Sequence, residues 1–290
     1  MAYLIAVSII WGFSFIIIKG WLVSLDSGFV AFVRLLLSFL VFAPFIRKAG
    51  LRFSECLQLA SIGGVQFGIM YVAYIAAYQY LPAHTIVLMT TTTPLFVTIF
   101  NGMYERRLNK AFLLAAVMAV AGGMVIRYPD QPLSASLYGV VLIQLSNAAF
   151  AFGQITYKRW MFFKSDLRDK NVFGFMYAGA VVVAGLFSLA STDYSQLAVS
   201  RIQWIFLLYL GIIASGICFF LWNFGARKVN DGVLAVMNNL KIPVGVVLSL
   251  LILREATDYL RLVIGCLLLA SALWVNRKIR EHESYFTKKE

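Results

Sequence analysis

The chain has 290 residues, 61% of them hydrophobic and 13% charged, with a mean hydropathy of +0.82. Those figures leave no soluble class open and describe an integral membrane protein. The net charge of +12 invites a nucleic-acid reading, but its placement in short connections and a tail argues against that.

Ten apolar segments follow one another: Ala2 to Ile18, Gly28 to Ile46, Leu57 to Gln79, Ala83 to Gly102, Ala111 to Ile126, Ala135 to Tyr157, Val172 to Ala190, Gln203 to Gly225, Gly232 to Leu253 and Tyr259 to Val275. They are called spans 1 to 10. Their length suits membrane helices of ~20 residues; barrel strands would be alternating runs of ~10. Met1 leads into span 1 with no basic flank and no small-residue cleavage site, so the expectation is a retained helix and not a signal peptide. Lys and Arg number 18 in the connections after spans 2, 4, 6 and 8 and in the tail, against 5 in the remaining connections. That asymmetry predicts an even number of spans with both termini in the cytoplasm. The tail, Arg277-Lys278-Ile279-Arg280 through Lys288-Lys289, reads as a topology anchor beside anionic lipid. Cys56, Cys218 and Cys266 are far apart and on or beside spans, which predicts free thiols and no metal site.

Along the chain, span 1 carries Trp11 and Ser14 near mid-depth, facing the same way. Arg34 lies six residues into span 2 and is expected to reach the near interface or a neighbouring carbonyl. Span 3 places Phe67, Tyr71, Tyr74 and Tyr78 on one face. Such a stripe is commonly packing or an interfacial belt, yet Tyr71 and Tyr74 sit too deep for a belt and each phenol needs a partner. In span 4, His84 follows Pro82 and reads as a capping or interfacial group. The run Thr90-Thr91-Thr92-Thr93-Pro94 supplies either hydroxyls that satisfy a kink or polar groups for a site. Span 6 lines up Gln144, Asn147, Ala151 and Gln154, which suits a hydrated cavity or a helix contact. Span 8 does the same with Ser215, Phe219 and Trp222.

Span 9 organises the whole chain. Its centre is Asn238-Asn239-Leu240-Lys241-Ile242-Pro243. A lysine at mid-depth costs ~2.5 to 3.5 kcal/mol, so Lys241 is expected to face protein or a water-filled cavity. The rival reading is a proline kink whose lysine snorkels to an interface, against which about ten residues on either side place both interfaces ~15 Å away. Pro243 lacks an N–H, which predicts a bare Asn239 carbonyl beside the ammonium and two side-chain amides. All thirteen acids lie at span ends, in connections or in the tail. Lys241 therefore binds an anionic group of a cargo, or loses its proton to burial, or is neutralised by carbonyls and water. No phosphate-binding loop, zinc-spaced histidines or Ser/His/Asp set can be assembled at one depth, so no enzyme activity, metal or cofactor is expected.

The two halves echo one another. Trp11 to Trp21 aligns with Phe150 to Trp160 at an offset of 139, and Pro94 with Glu105 mirrors Pro243 with Glu255. Five spans per copy is odd, so the second copy enters from the opposite face, giving an inverted repeat. Setting Pro94 on Pro243 puts Thr90 on Asn239 and Thr92 on Lys241.

With Ile9-Ile10-Trp11-Gly12-Phe13-Ser14-Phe15, Phe32-Val33-Arg34, and the Pro94/Glu105 and Pro243/Glu255 pairs in this order, the chain resembles the drug/metabolite transporter superfamily in its ten-helix EamA-type branch. The resemblance covers Met1 to about Lys278. It implies an all-α membrane fold of ten transmembrane helices in two inverted five-helix repeats around a central cavity, with residues 1–130 and 134–276 as the copies and 277–290 as the tail. It also implies export of small metabolites such as amino acids across the bacterial cytoplasmic membrane. The fixed cation favours an amphoteric or carboxylate-bearing cargo, held by Lys241, Asn238, Asn239, Thr92, Tyr74, Tyr78, Trp11, Asn147 and Gln154. Pro94 and Pro243 would be hinges for alternating access. The rivals are a transporter of organic anions or sugar derivatives on the same fold, and a non-transporting scaffold or lipid-headgroup binder. Expected partners are a small-molecule substrate and the bilayer, with proton coupling or exchange left open and a monomer sufficient.

Overall fold

Inside a bilayer each backbone N–H and C=O needs a partner in protein, and the elements of the computed structural model are accordingly helical throughout the described residues. The structure describes residues 1–290 except 23, 48–49, 82, 128–135, 165, 246, 248–257 and 288–290, and it does not describe the side chains of 15, 16, 19, 83, 84, 87, 127 and 276–287. Glu255 and the side chain of His84 lie outside the described residues. Among the described residues five helices are long and apolar enough to cross a membrane: Ser27–Phe45, Phe53–Gln79, Leu137–Phe162, Asp169–Ser191 and Arg201–Ala226, which are spans 2, 3, 6, 7 and 8. Ala2–Ser14, Lys110–Ile126 and Tyr259–Val275 are shorter apolar helices at spans 1, 5 and 10.

Spans 4 and 9 are not kinked helices, as expected from their prolines, but broken ones. Span 4 is Ala83–Thr90 and then Thr93–Glu105, with Pro94 in the first turn of the second half, where a missing N–H costs nothing. Span 9 is Asp231–Met237, a turn over 238–240, and helix again over 241–245, with Pro243 inside that first new turn. Each break exposes carbonyls that need donors. In span 4 the threonines supply them: the hydroxyls of Thr91, Thr92 and Thr93 donate to the carbonyls of Leu88, Met89 and Thr90 at 2.6, 2.9 and 2.8 Å. In span 9 the Asn239 carbonyl, expected to be bare, accepts the Ile242 N–H at 3.1 Å in a tight turn.

The two breaks are tied to each other. The Asn239 side-chain amide donates to the Thr91 carbonyl in the span 4 break and to the Ala119 carbonyl in span 5, both at 2.9 Å. One carboxamide therefore joins spans 4, 5 and 9.

Spans 3 and 8 each contain a π-helical stretch, Gly64–Ile69 and Leu210–Ile217. A wider turn loosens the ladder and leaves carbonyls free for other donors. In span 8 these carbonyls are taken from three sides: Trp11 Nε1 donates to Ala214, Ser38 Oγ to Gly211, and Tyr177 OH to Ser215 and Gly216, at 2.7 to 2.9 Å.

Packing follows a like-with-like rule. Span 2 packs on span 7, span 5 on span 10, and the second half of span 4 on the first half of span 9. Lipid tails are as apolar as leucine, so inserted helices associate by close approach of small residues and not by hydrophobic burial. The crossing of spans 3 and 7 shows this. A Cβ added to Gly179 would lie 1.8 Å from the Ala60 carbonyl oxygen, and one on Gly63 would lie 2.0 Å from that of Met176.

Two outcomes are expected from thermal unfolding in detergent. Gly179→Ala forces two backbones apart and should cost about 1 to 3 kcal/mol, whereas Gly20→Ala, with nothing within 4 Å of the added Cβ, should leave stability unchanged. Asn239→Leu strands the Thr91 and Ala119 carbonyls and should cost ~1 to 4 kcal/mol.

Candidate functional site

Beside the breaks the helices line a cavity of about 100 Å³. Its floor comes from the broken spans: Thr90 and Thr93 from span 4 and Lys241 from span 9. Its walls come from Trp11, Ser14 and Ile18 of span 1, Arg34 of span 2, Met70, Tyr71 and Tyr74 of span 3, Ser146, Asn147 and Phe150 of span 6, and Phe219 of span 8. The lining thus has aromatic faces, a few hydroxyls and amides, and two cations.

Lys241 is where the broken helix puts it. It begins the second half of span 9, and its Nζ lies 5.8 Å from the centre of the Trp11 ring, at the outer limit of a cation–π contact. Trp11 is itself held by its indole N–H on the Ala214 carbonyl and by ring contacts with Phe150, Phe219 and Trp222 at 5.0 to 6.0 Å.

Arg34 departs from the sequence expectation. Instead of reaching an interface it is 3% exposed and lines the cavity. Its Nη2 donates to Tyr71 OH at 2.6 Å and its Nε to Ser215 Oγ at 3.2 Å, while Tyr71 OH and Ser215 Oγ are 2.9 Å apart. Its guanidinium carbon stands 4.5 Å above the Tyr71 ring. This answers the question of what Tyr71 bonds at that depth. Nothing in span 2 points to this placement, because the partners of Arg34 come from spans 3 and 8.

Among the described residues neither cation has a carboxylate partner. The interhelical ion pairs gather at the end of the bundle that carries the basic connections: Lys158 with Asp231 at 2.6 Å, Arg159 with Glu105 at 3.0 Å, Lys164 with Glu55 at 2.5 Å, and Arg227 with Asp169. That end also holds an open cleft of about 800 Å³ flanked by Lys158, Arg168 and Lys228.

Of the nine residues expected at the site, Lys241, Trp11, Tyr74 and Asn147 line the cavity. The other five are nearby but occupied elsewhere. Thr92 turns toward span 6, its hydroxyl 2.7 Å from Gln144 Oε1 and 3.1 Å from Asn147 Nδ2. Asn239 is spent on the break, and buried Asn238 donates to the Leu234 carbonyl at 2.8 Å. Tyr78 bonds Tyr74 OH at 2.9 Å, and Gln154 accepts the Trp222 indole N–H at 2.8 Å. Thr92 and Lys241 do not converge on one point, although sequence symmetry pairs them. Thr92 faces span 6 and Lys241 faces span 1, which is that same symmetry at work.

The chain matches the EamA-like transporter family over residues 1–128 and 137–277. It is 40% identical over 281 residues to a probable biotin transporter of Pseudomonas aeruginosa, covering 96% of this chain and 97% of that one. It is 37% identical over 280 residues to the biotin transporter of Escherichia coli K12, and 36% to that of Salmonella typhimurium, covering 96% of this chain and 93% of each. A solved crystal structure superposes with a TM-score of 0.77 over 96% of both chains at 16% identity, a likeness of fold alone. Broken spans, a cation-lined cavity and two family matches in tandem agree, and the chain belongs to the EamA-like transporter family of membrane proteins.

Proposed function

We propose that this protein is a secondary transporter whose cargo is biotin, carried with its carboxylate on Lys241. The observation that carries the reading is a lysine ammonium lining the cavity with no acid among the described residues to balance it. An uncompensated charge at this depth is costly, and an anionic cargo removes the cost. The relatives' names move the expected cargo from amino acids to biotin, which is still a carboxylate-bearing metabolite. Biotin also offers a fused ring system that suits walls of Trp11, Phe150 and Phe219, and ring N–H groups that suit the amide oxygen of Asn147.

Transport proceeds by alternating access of two inverted repeats, residues 1–130 and 134–276, with the basic connections on the cytoplasmic side. Two features support this. Positions paired by the repeat meet in space, as Trp11 and Phe150 do with ring centres 6.0 Å apart. The cavity of about 100 Å³ is also well below the ~300 Å³ at which ligand pockets begin, so loading requires the walls to separate. The breaks beside Pro94 and Pro243 are where half-helices can tilt without disrupting a continuous ladder.

Flux of labelled biotin into and out of proteoliposomes tests the reading. Wild-type protein should move biotin, and biotinamide, which lacks the negative charge, should compete at least ~10-fold less well. Lys241→Ala should lower flux ~10-fold or more while inserting and melting like wild type. Unchanged flux in the variant would return Lys241 to a structural role, and flux of an amino acid without any of biotin would overturn the cargo.

A further inference from the structure

The cavity holds two cations, and a single carboxylate can neutralise only one of them. Their surroundings differ in kind. Lys241 has an aromatic face at 5.8 Å and no hydrogen-bond acceptor among the described residues. Arg34 already has two oxygen acceptors and a π face at 4.5 Å. Lys241 is therefore the group that needs an anion, whereas Arg34 is partly compensated before any cargo arrives.

Arg34 is also the more rigid of the two. A guanidinium carries five N–H donors in a fixed plane. Nε and Nη2 are pinned to Ser215 and Tyr71, which sit in spans 8 and 3 and hydrogen-bond each other. The hydrogen bonds Arg34 makes to described residues use Nε and Nη2 and leave Nη1 uncommitted, and the side chain lines the cavity. A pinned guanidinium with donors left over is a pre-organised receptor for a strong neutral acceptor.

We infer that Arg34 is the second recognition point of the cavity, and that its free N–H donors take the carbonyl oxygen of the cargo's cyclic urea while Lys241 takes the carboxylate. The inference rests on the cargo reading above. It makes selectivity two-ended: the charged tail is read by span 9, and the ring carbonyl by span 2 with Tyr71 and Ser215 as positioning residues. Hydroxyls that already lean on Arg34 lose their partner if it is shortened, so the arginine has a fold role as well. The test must therefore read discrimination and not affinity alone.

Binding of three ligands to detergent-purified protein, by calorimetry or thermal shift, separates the two ends. Biotin carries both groups, biotinamide lacks the charge of the tail, and 2-iminobiotin replaces the ring carbonyl by a protonated imine that offers donors only. Wild type should bind biotin roughly 10- to 100-fold more tightly than 2-iminobiotin, the loss expected when a hydrogen bond to a charged group is removed. Arg34→Gln should bring that ratio close to 1 while leaving the preference for biotin over biotinamide intact. The retained preference also reports that the protein is folded. Lys241→Ala should do the reverse. Arg34→Lys keeps the charge without the fork, so it should bind biotin more weakly yet still reject 2-iminobiotin, and it serves if the glutamine variant does not fold. Wild-type binding of biotin with the biotin to 2-iminobiotin ratio unchanged in Arg34→Gln, or with biotin bound as tightly by Arg34→Lys as by wild type, would overturn the assignment and leave the cargo reading standing. Failure of wild type to bind biotin would overturn the cargo reading and the assignment together.

Discussion

The Asn239 carboxamide, donating to the Thr91 and Ala119 carbonyls, is the contact on which the centre of this molecule depends. A membrane helix is stable because its own ladder satisfies its backbone, and interrupting the ladder in two neighbouring spans at one depth leaves carbonyls that lipid cannot pair. The protein resolves this with side chains. Threonine hydroxyls fold back in span 4, and a single amide bridges from span 9 to both neighbours. Without the breaks, Lys241 would sit within a continuous helix; with them it opens a half-helix at the floor of the cavity.

A second consequence concerns charge. Apart from Arg34 and Lys241, Lys and Arg cluster at span ends, in the connections and in the tail. Acids are used at the basic end of the bundle, where Glu55, Glu105, Asp169 and Asp231 join elements distant in sequence. Among the described residues no acid lines the cavity beside Arg34 and Lys241. At the span 9 break Asn238 and Asn239 each keep a buried side-chain oxygen without a partner among the described residues. Local inconsistency of this kind is typical of functional regions, where stability yields to the need for rearrangement.

The π-helical stretches of spans 3 and 8 belong to the same design. By widening a turn, span 8 offers carbonyls to Trp11, Ser38 and Tyr177, and so fixes an aromatic wall of the cavity from behind. The Ser215 hydroxyl, within that stretch, faces Arg34. Backbone irregularity thus supplies both the acceptors that orient Trp11 and the position from which Ser215 steadies the guanidinium.

The sequence by itself determined the class of molecule, the order of its spans, the two places where proline and polar residues interrupt apolar helices, and Lys241 as a cation in the middle of a span. Each of these follows from composition or from local spacing, since hydropathy, the missing proline N–H and the length of a lysine side chain act along one segment. Only the tertiary structure decided which polar groups share a cavity. Thr92, Asn238, Asn239, Tyr78 and Gln154 carry suitable chemistry, but partners on other spans claim or hold them away, and nothing in their own spans announces it. Arg34 shows the converse. Its span offers no partner and suggests a reach to the interface, while Tyr71 and Ser215, 37 and 181 residues away, hold it in the protein interior. Hydrogen bonds between helices distant in sequence make that choice, so the site becomes visible only once the helices are packed.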